Sequence, residues 1–194
     1  MEKQLDSKIV MGLERIAEVF KVLLWEEAKQ HGLSPIQIQI LIFIKQHSIE
    51  LANVTYLSKE FNLTKPTVSD AIRILLKKGI IHKIPSPTDK RAYSIALTEH
   101  GKALVEQLQN FSKPLEKYVT ELSLETKTDF FKTLTHLIFQ LNKSNVITVQ
   151  RMCFSCHHYE KRQDKENQHF CKLLQTQLTN KNIQLDCPEF QEKI

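Results

Sequence analysis

Glycine and proline are scarce in this sequence, with 4 and 6 copies in 194 residues, which excludes a collagenous, low-complexity or loop-dominated chain. Cysteine is missing from the first 152 residues, so no disulfide framework holds that stretch and its fold must rest on an apolar core. Long hydrophobic runs are missing too: the densest, Ile36 to Ile44, is broken by Gln37 and Gln39. It falls well short of the roughly 20 apolar residues that a membrane-spanning helix needs. Met1 to Lys8 mixes both charge signs and has no apolar block, so no secretory leader is expected and the chain reads as cytoplasmic, with no membrane partner. Nor is there a phosphate-binding glycine loop, a nucleophile elbow or a His-Glu metalloprotease motif, which leaves little for an enzyme to use.

What is present is helical periodicity. Leu5, Ile9, Leu13, Ile16, Phe20 and Leu24 recur every three or four positions, with Glu14, Glu18 and Lys21 between them, the pattern of one long amphipathic helix. Gly32 stops it, and Ser34-Pro35 supplies a cap and a first-turn proline for the next helix, with Ile36, Ile40, Leu41 and Ile44 on one side. Asn53 is a cap for a short helix through Phe61. After the turn Asn62-Leu63, Thr64 caps another helix, whose inner face carries Val68, Ile72, Leu75 and Leu76 and whose end is Gly79. Two short helices so joined form a helix-turn-helix.

Ile80 to Ile84 and Tyr93 to Leu97 are β-branched runs on either side of a polar tip, and they read as a hairpin wing. Thr98 then caps a long helix expected to bend near Pro114, and Ser123 starts a last one with Phe130, Leu134, Leu137, Ile138 and Leu141 as its stripe. The expected fold is therefore mainly α with a small β-hairpin wing, a winged helix-turn-helix. Its domain spans 1–144, with a DNA-binding core at about 34–98, followed by a cysteine-rich module at 145–194. The outer helices carry more apolar surface than one such domain can bury, so they are expected to pair as dimerisation helices in a two-fold homodimer.

Charge is concentrated in one place. Residues 53–91 hold 8 basic against 3 acidic side chains, while every other segment balances to within one charge. A local excess of that kind suits a phosphate-facing surface, and it also suits a solvated basic face. A helix entering the major groove needs short hydrogen-bonding side chains at its start and cations where phosphates pass. Thr64, Lys65, Thr67, Ser69 and Arg73 meet that description, on the side opposite Val68, Ile72 and Leu75. The bland alternatives are a helix cap at Thr64 and, for Lys77 and Lys78, a simple preference of cations for a helix C-terminus.

The run Leu57 to Ser69, then Leu75-Leu76-Lys77-Lys78-Gly79-Ile80-Ile81, then Asp89-Lys90-Arg91 with Leu97-Thr98-Glu99-His100-Gly101, resembles the MarR family of bacterial regulators over roughly residues 5–144. The wing is its most specific part. The resemblance implies a homodimeric transcriptional regulator, a repressor in one common form, bound to double-stranded DNA at a pseudo-palindromic operator. It implies one recognition helix per half-site, Arg91 as the wing arginine for the minor groove and Asp89 as the acid that orients the wing. Lys90 stands where an arginine is frequent, keeping the charge and losing the fork geometry. Many relatives take a small aromatic or phenolic effector between the dimer helices and the winged domain.

All 4 cysteines follow residue 152, as Cys153, Cys156, Cys171 and Cys187. In a reducing compartment such a cluster reads as metal ligands or redox thiols. Cys-x-x-Cys chelates one ion from a tight turn, and two further thiolates complete a closed tetrahedral zinc site. Cys187-Pro188 is a feature of iron–sulfur ligation, the alternative cofactor. His157, His158 or His169 could replace one ligand. The competing function is a thiol-redox or metal-sensing protein in which Cys153 and Cys156 carry the chemistry, although a redox Cys-x-x-Cys is expected at a helix start in a βαβ setting. A winged domain serving protein contact or RNA is a third reading.

Overall fold

The computed structural model describes residues 2–85, 89, 92–162 and 169–193. The chain divides into two compact units, one of residues 1–57 with 65–118, the other of 58–64 with 119–194.

In the first unit, α1 (Glu2–His31) and α2 (Pro35–Gln46) meet at a glycine hinge. Gly32 sits at φ +60, a left-handed conformation in which a side chain is strained. At the start of α2 the Ser34 N–H donates to Gln37 Oε1 at 2.9 Å, which accounts for a glutamine only 4% exposed. The short α3 (Val54–Glu60) begins as expected, the Tyr56 N–H donating to Asn53 Oδ1 at 2.9 Å. Positive φ at Asn62 makes the turn into α4 (Lys65–Lys77), and Gly79 at φ +65 ends that helix.

β1 (Ile81–Pro85) and β2 (Tyr93–Leu97) pair antiparallel from Ile81 opposite Leu97 to Pro85 opposite Tyr93. The Ile95 N–H also donates to Ala52 O at 2.8 Å, so the hairpin base is tied to the loop before α3. Ile38, Ile40, Leu41, Leu57, Val68, Ile72, Leu75, Ile95, Val105 and Leu108 are buried to within 1%. Each of the large aliphatics contributes roughly 1.5–3 kcal/mol by leaving water.

The continuous helix expected after Thr98 is two helices instead. α5 (Glu99–Leu108) ends, and α6 (Lys113–Thr120) begins after a four-residue break. Pro114 is the second residue of α6, where its missing N–H costs nothing, and Ser112 Oγ donates to Glu116 Oε1 at 3.0 Å across that new first turn. The proline thus marks a start and not a bend.

The second unit contains α7 (Leu124–Lys143), capped by Ser123 Oγ, which accepts from the Thr126 N–H at 3.1 Å. A single 3-10 turn at Cys153–Ser155 follows, then three short antiparallel strands in the order β3 (Tyr159–Lys161), β4 (His169–Cys171) and β5 (Thr176–Leu178). Cys153, Leu178 and Ile183 form its small buried core, with Phe131, Phe154, Tyr159 and Cys171 packed around it.

Candidate nucleic-acid interface and cysteine cluster

α4 has two faces of opposite character. Val68, Ala71, Ile72 and Leu75 are buried, and Lys65, Thr67, Ser69, Asp70 and Arg73 are exposed on the other side, with Thr64 exposed just before the helix. The short polar side chains lie in the first turns, where the N–H groups are unpaired within the helix. Arg73 Nη2 contacts Asp70 Oδ1 at 2.9 Å, with both side chains about two-thirds or more exposed. A pair so exposed is worth well under ~1 kcal/mol, so the guanidinium can leave it for a better acceptor.

Asp89 is exposed beside a shallow depression of about 410 Å³ that it lines with Asn53, Val54, Thr55, Ala92, Tyr93 and Ser94. The Ala92 N–H donates to Asp89 O at 3.0 Å, closing one side of the hairpin tip. Lys90 and Arg91 lie outside the described residues. Lys83 Nζ sits 4.0 Å over the Tyr93 ring, a strand-to-strand contact that places another cation on the hairpin. Lys78 has a structural task instead, its Nζ donating to Gly32 O at 3.0 Å just past α1.

The junction between α4 and the hairpin is built on two residues of the Leu-Thr-x-x-Gly run. Thr98 Oγ1 reaches Gly79 O at 2.8 Å and Ile80 O at 3.0 Å, while accepting from the Gly101 N–H at 3.0 Å. Any Cβ on residue 101 would stand 2.1 Å from Ile80 O, so only glycine lets α5 approach that backbone. This is the physical content of the motif, and the resemblance alone does not supply it.

A family model described as the MarR family matches residues 31–92. The HTH-type transcriptional repressor YetL of Bacillus subtilis is 33% identical over 113 residues, spanning 57% of this chain and 67% of YetL. This chain belongs to the MarR family. It is a winged-helix transcriptional regulator, not an enzyme. Solved MarR-like structures agree: the Staphylococcus aureus MepR–DNA complex is 25% identical, with a TM-score of 0.59, covering 68% of this chain and 97% of MepR. Streptococcus pneumoniae FabT in complex with DNA is 26% identical, with a TM-score of 0.58, covering 71% of this chain and 97% of FabT. No described helix is long and apolar enough to cross a membrane.

The cysteines gather in the second unit. Cys153, Cys156, Cys171 and Cys187 are unbridged and line one small cavity of about 30 Å³ with His158, Tyr159, Leu173, Leu174, Leu178 and Glu189. Among the described residues, no three Cys, His, Asp or Glu side chains stand close enough to hold an ion as they are. Burial pushes the Cys153 thiol above its ordinary value; the Gln184 N–H opposes the rise, and the other three thiols add to it. Burial acts first at Cys187 as well, opposed by a backbone hydrogen bond at Glu189 and reinforced by Cys156, Cys171 and the Glu189 charge.

The three histidines divide. His157 is exposed, and His169 is buried with its Nδ1 2.6 Å from Tyr159 Oη. His158 lines the cavity and keeps a buried Nε2 without a hydrogen-bond partner.

Sequence reasoning missed Arg151 altogether. It is 6% exposed, its Nη1 and Nη2 donate to Glu60 at 2.7 and 3.1 Å, and its Nε donates to Asp186 Oδ1 at 2.6 Å. Glu60 ends α3, 91 residues away in sequence. A bidentate fork of this kind fixes both position and orientation.

Proposed function

We propose that this regulator is a cytoplasmic homodimeric repressor that binds duplex DNA. In this reading Lys65, Thr67, Ser69 and Arg73 on the outer face of α4 meet the major groove, with Thr64 at its start. Arg91 and Lys90 on the wing meet the adjoining minor groove, and Asp89 orients the wing. The two-faced α4, on the one segment with a local basic excess, carries the proposal. The repressor relative and the DNA complexes of MepR and FabT support it.

Dimerisation is supported by uncovered apolar surface. On α1, Leu5, Ile9, Val10, Met11, Ile16, Phe20 and Trp25 are each 40–64% exposed. So much apolar area on one helix calls for a mate. A cavity of about 560 Å³, lined by Ile44, Lys45, His47, His82, Ile95 and Lys102 among others, is of a size for a small effector. The residues 145–194 would then form a module with a task other than DNA reading.

Fluorescence anisotropy with a labelled duplex tests the reading. Binding should weaken steeply with salt, and Arg73→Ala and Arg91→Ala should each cost about 1–3 kcal/mol, roughly tenfold or more in affinity. Duplex binding that ignores both salt and these substitutions would reject it. The thiol-redox alternative needs an exposed thiol of lowered pKa. Cys153 and Cys156 are 8% and 7% exposed, and the Cys153 thiol is raised, so nothing here favours that reading.

A further inference from the structure

The winged helix explains the first unit and leaves the cysteine cluster without a task. Its thiols come from three separate stretches of backbone. Cys153 opens the 3-10 turn and Cys156 follows it, Cys171 ends β4, and Cys187 lies in the closing loop, yet all four side chains border one small space. The remaining wall is largely apolar, with Tyr159, Leu173, Leu174 and Leu178. The four cysteines that line this pocket are free, with no disulfide among them. We infer that Cys153, Cys156, Cys171 and Cys187 jointly hold one thiolate-ligated metal centre.

Backbone contacts around the thiols suit this task, and the sulfurs must draw closer to share one ion. The Cys156 N–H donates to Cys153 O at 2.9 Å, closing the tight turn that brings a Cys-x-x-Cys pair together. The Gln184 N–H donates to Cys153 Sγ at 3.2 Å, the contact that stabilises a ligating thiolate. Cys187 is held by its own N–H to Arg151 O at 2.8 Å. His158 Nε2, buried and without a hydrogen-bond partner, belongs to the wall of the same cavity.

Energetics point the same way. The segment after α7 buries Cys153, Leu178 and Ile183 as its core, too few side chains to hold three short strands in water. Metal binding would supply the missing folding energy. Each ligating thiol gives up its proton to solvent as its sulfur bonds the metal, so uptake acidifies the medium and needs no oxidant. Thiolate donors select zinc or an iron–sulfur cluster, and both use this ligand set.

The test uses the full chain purified without oxygen and its metal-stripped, reduced form. Metal and sulfide analysis should find either about one zinc per chain or iron with matching sulfide and a brown colour; the first identifies a single ion and the second a cluster. Cobalt(II) added to the stripped protein should give thiolate-to-metal charge-transfer bands that saturate near one equivalent and vanish in Cys156→Ser and Cys187→Ser. Far-UV circular dichroism confirms that those variants keep their helices, and the wild-type cobalt titration stands without them. A native preparation free of metal, together with no charge-transfer band at saturating cobalt, overturns the proposal. So does metal retained in full by a variant lacking all four thiols.

Discussion

The two compact units hold themselves together by different means. Among the described residues the first has 19 buried hydrophobic residues and the second 5, two of which are cysteines. The first closes its turns with local caps: Asn53 on α3, Thr98 on α5, Gly32 and Gly79 at helix ends. The second relies on a long-range polar clamp, Arg151 between Glu60 and Asp186. One lost contact is therefore a larger share of what holds the second unit than of what holds the first.

The largest effect should come from Gly101→Val. With Ile80 O only 2.1 Å from the site of the new Cβ, backbone must move, at a cost of about 3 kcal/mol or more. Urea unfolding followed by far-UV circular dichroism should show an early, broad transition. A variant as stable as the parent would mean that the first unit is not closely packed at that junction.

Next is Arg151→Met. It leaves Glu60, whose side chain is 17% exposed, without its cation, and breaking a buried pair costs on the order of 3 kcal/mol. Asp186 is 45% exposed and loses less. Limited proteolysis should cut the segment after α7 first while the first unit stays resistant. Arg151→Lys should recover little, because an ammonium cannot span both carboxylates. Equal protection of both units would erase the contrast between them.

The smallest effect belongs to Glu106. Its hydrogen bond from Lys45, 2.7 Å long, holds the carboxyl below its usual value, with the Lys45 charge adding to that. A carboxyl lowered on folding stabilises at pH above its unfolded pKa, and that stability is lost as pH falls through the folded value. Glu106→Gln should therefore be slightly less stable than the parent near pH 7, with the difference disappearing as pH falls through the lowered range of that carboxyl. Thermal melts across that range would show it, and a large loss at neutral pH would mean that surface charge matters more to the first unit than its core.

Much of the first unit was legible in the residues because its signals are local. A cap lies three residues from the group it satisfies, and an apolar stripe repeats every turn. Asn53, Thr98, Gly32 and Gly79 mark boundaries that a reader can find without a partner in view. Pro114 misled because a proline signals either a bend or a start, and the break at 109–112 decides for the start. The second unit was harder. Arg151 and Glu60 are 91 residues apart, and nothing near either predicts the other. β3, β4 and β5 have three residues each, too short for a period of two to show. The cysteine spacing offered a ligand set, but which histidine borders the cavity that the cysteines line depends on the fold.

The hydroxyl of Thr98 and the bare α-carbon of Gly101 weld the end of α4, the base of the hairpin and the start of α5 at a single knot. These three pieces must therefore travel together, as prongs on a common handle. A signal acting on this protein cannot tilt the helix while sparing the hairpin. Any tilt of the one swings the other with it, as a single rigid lever.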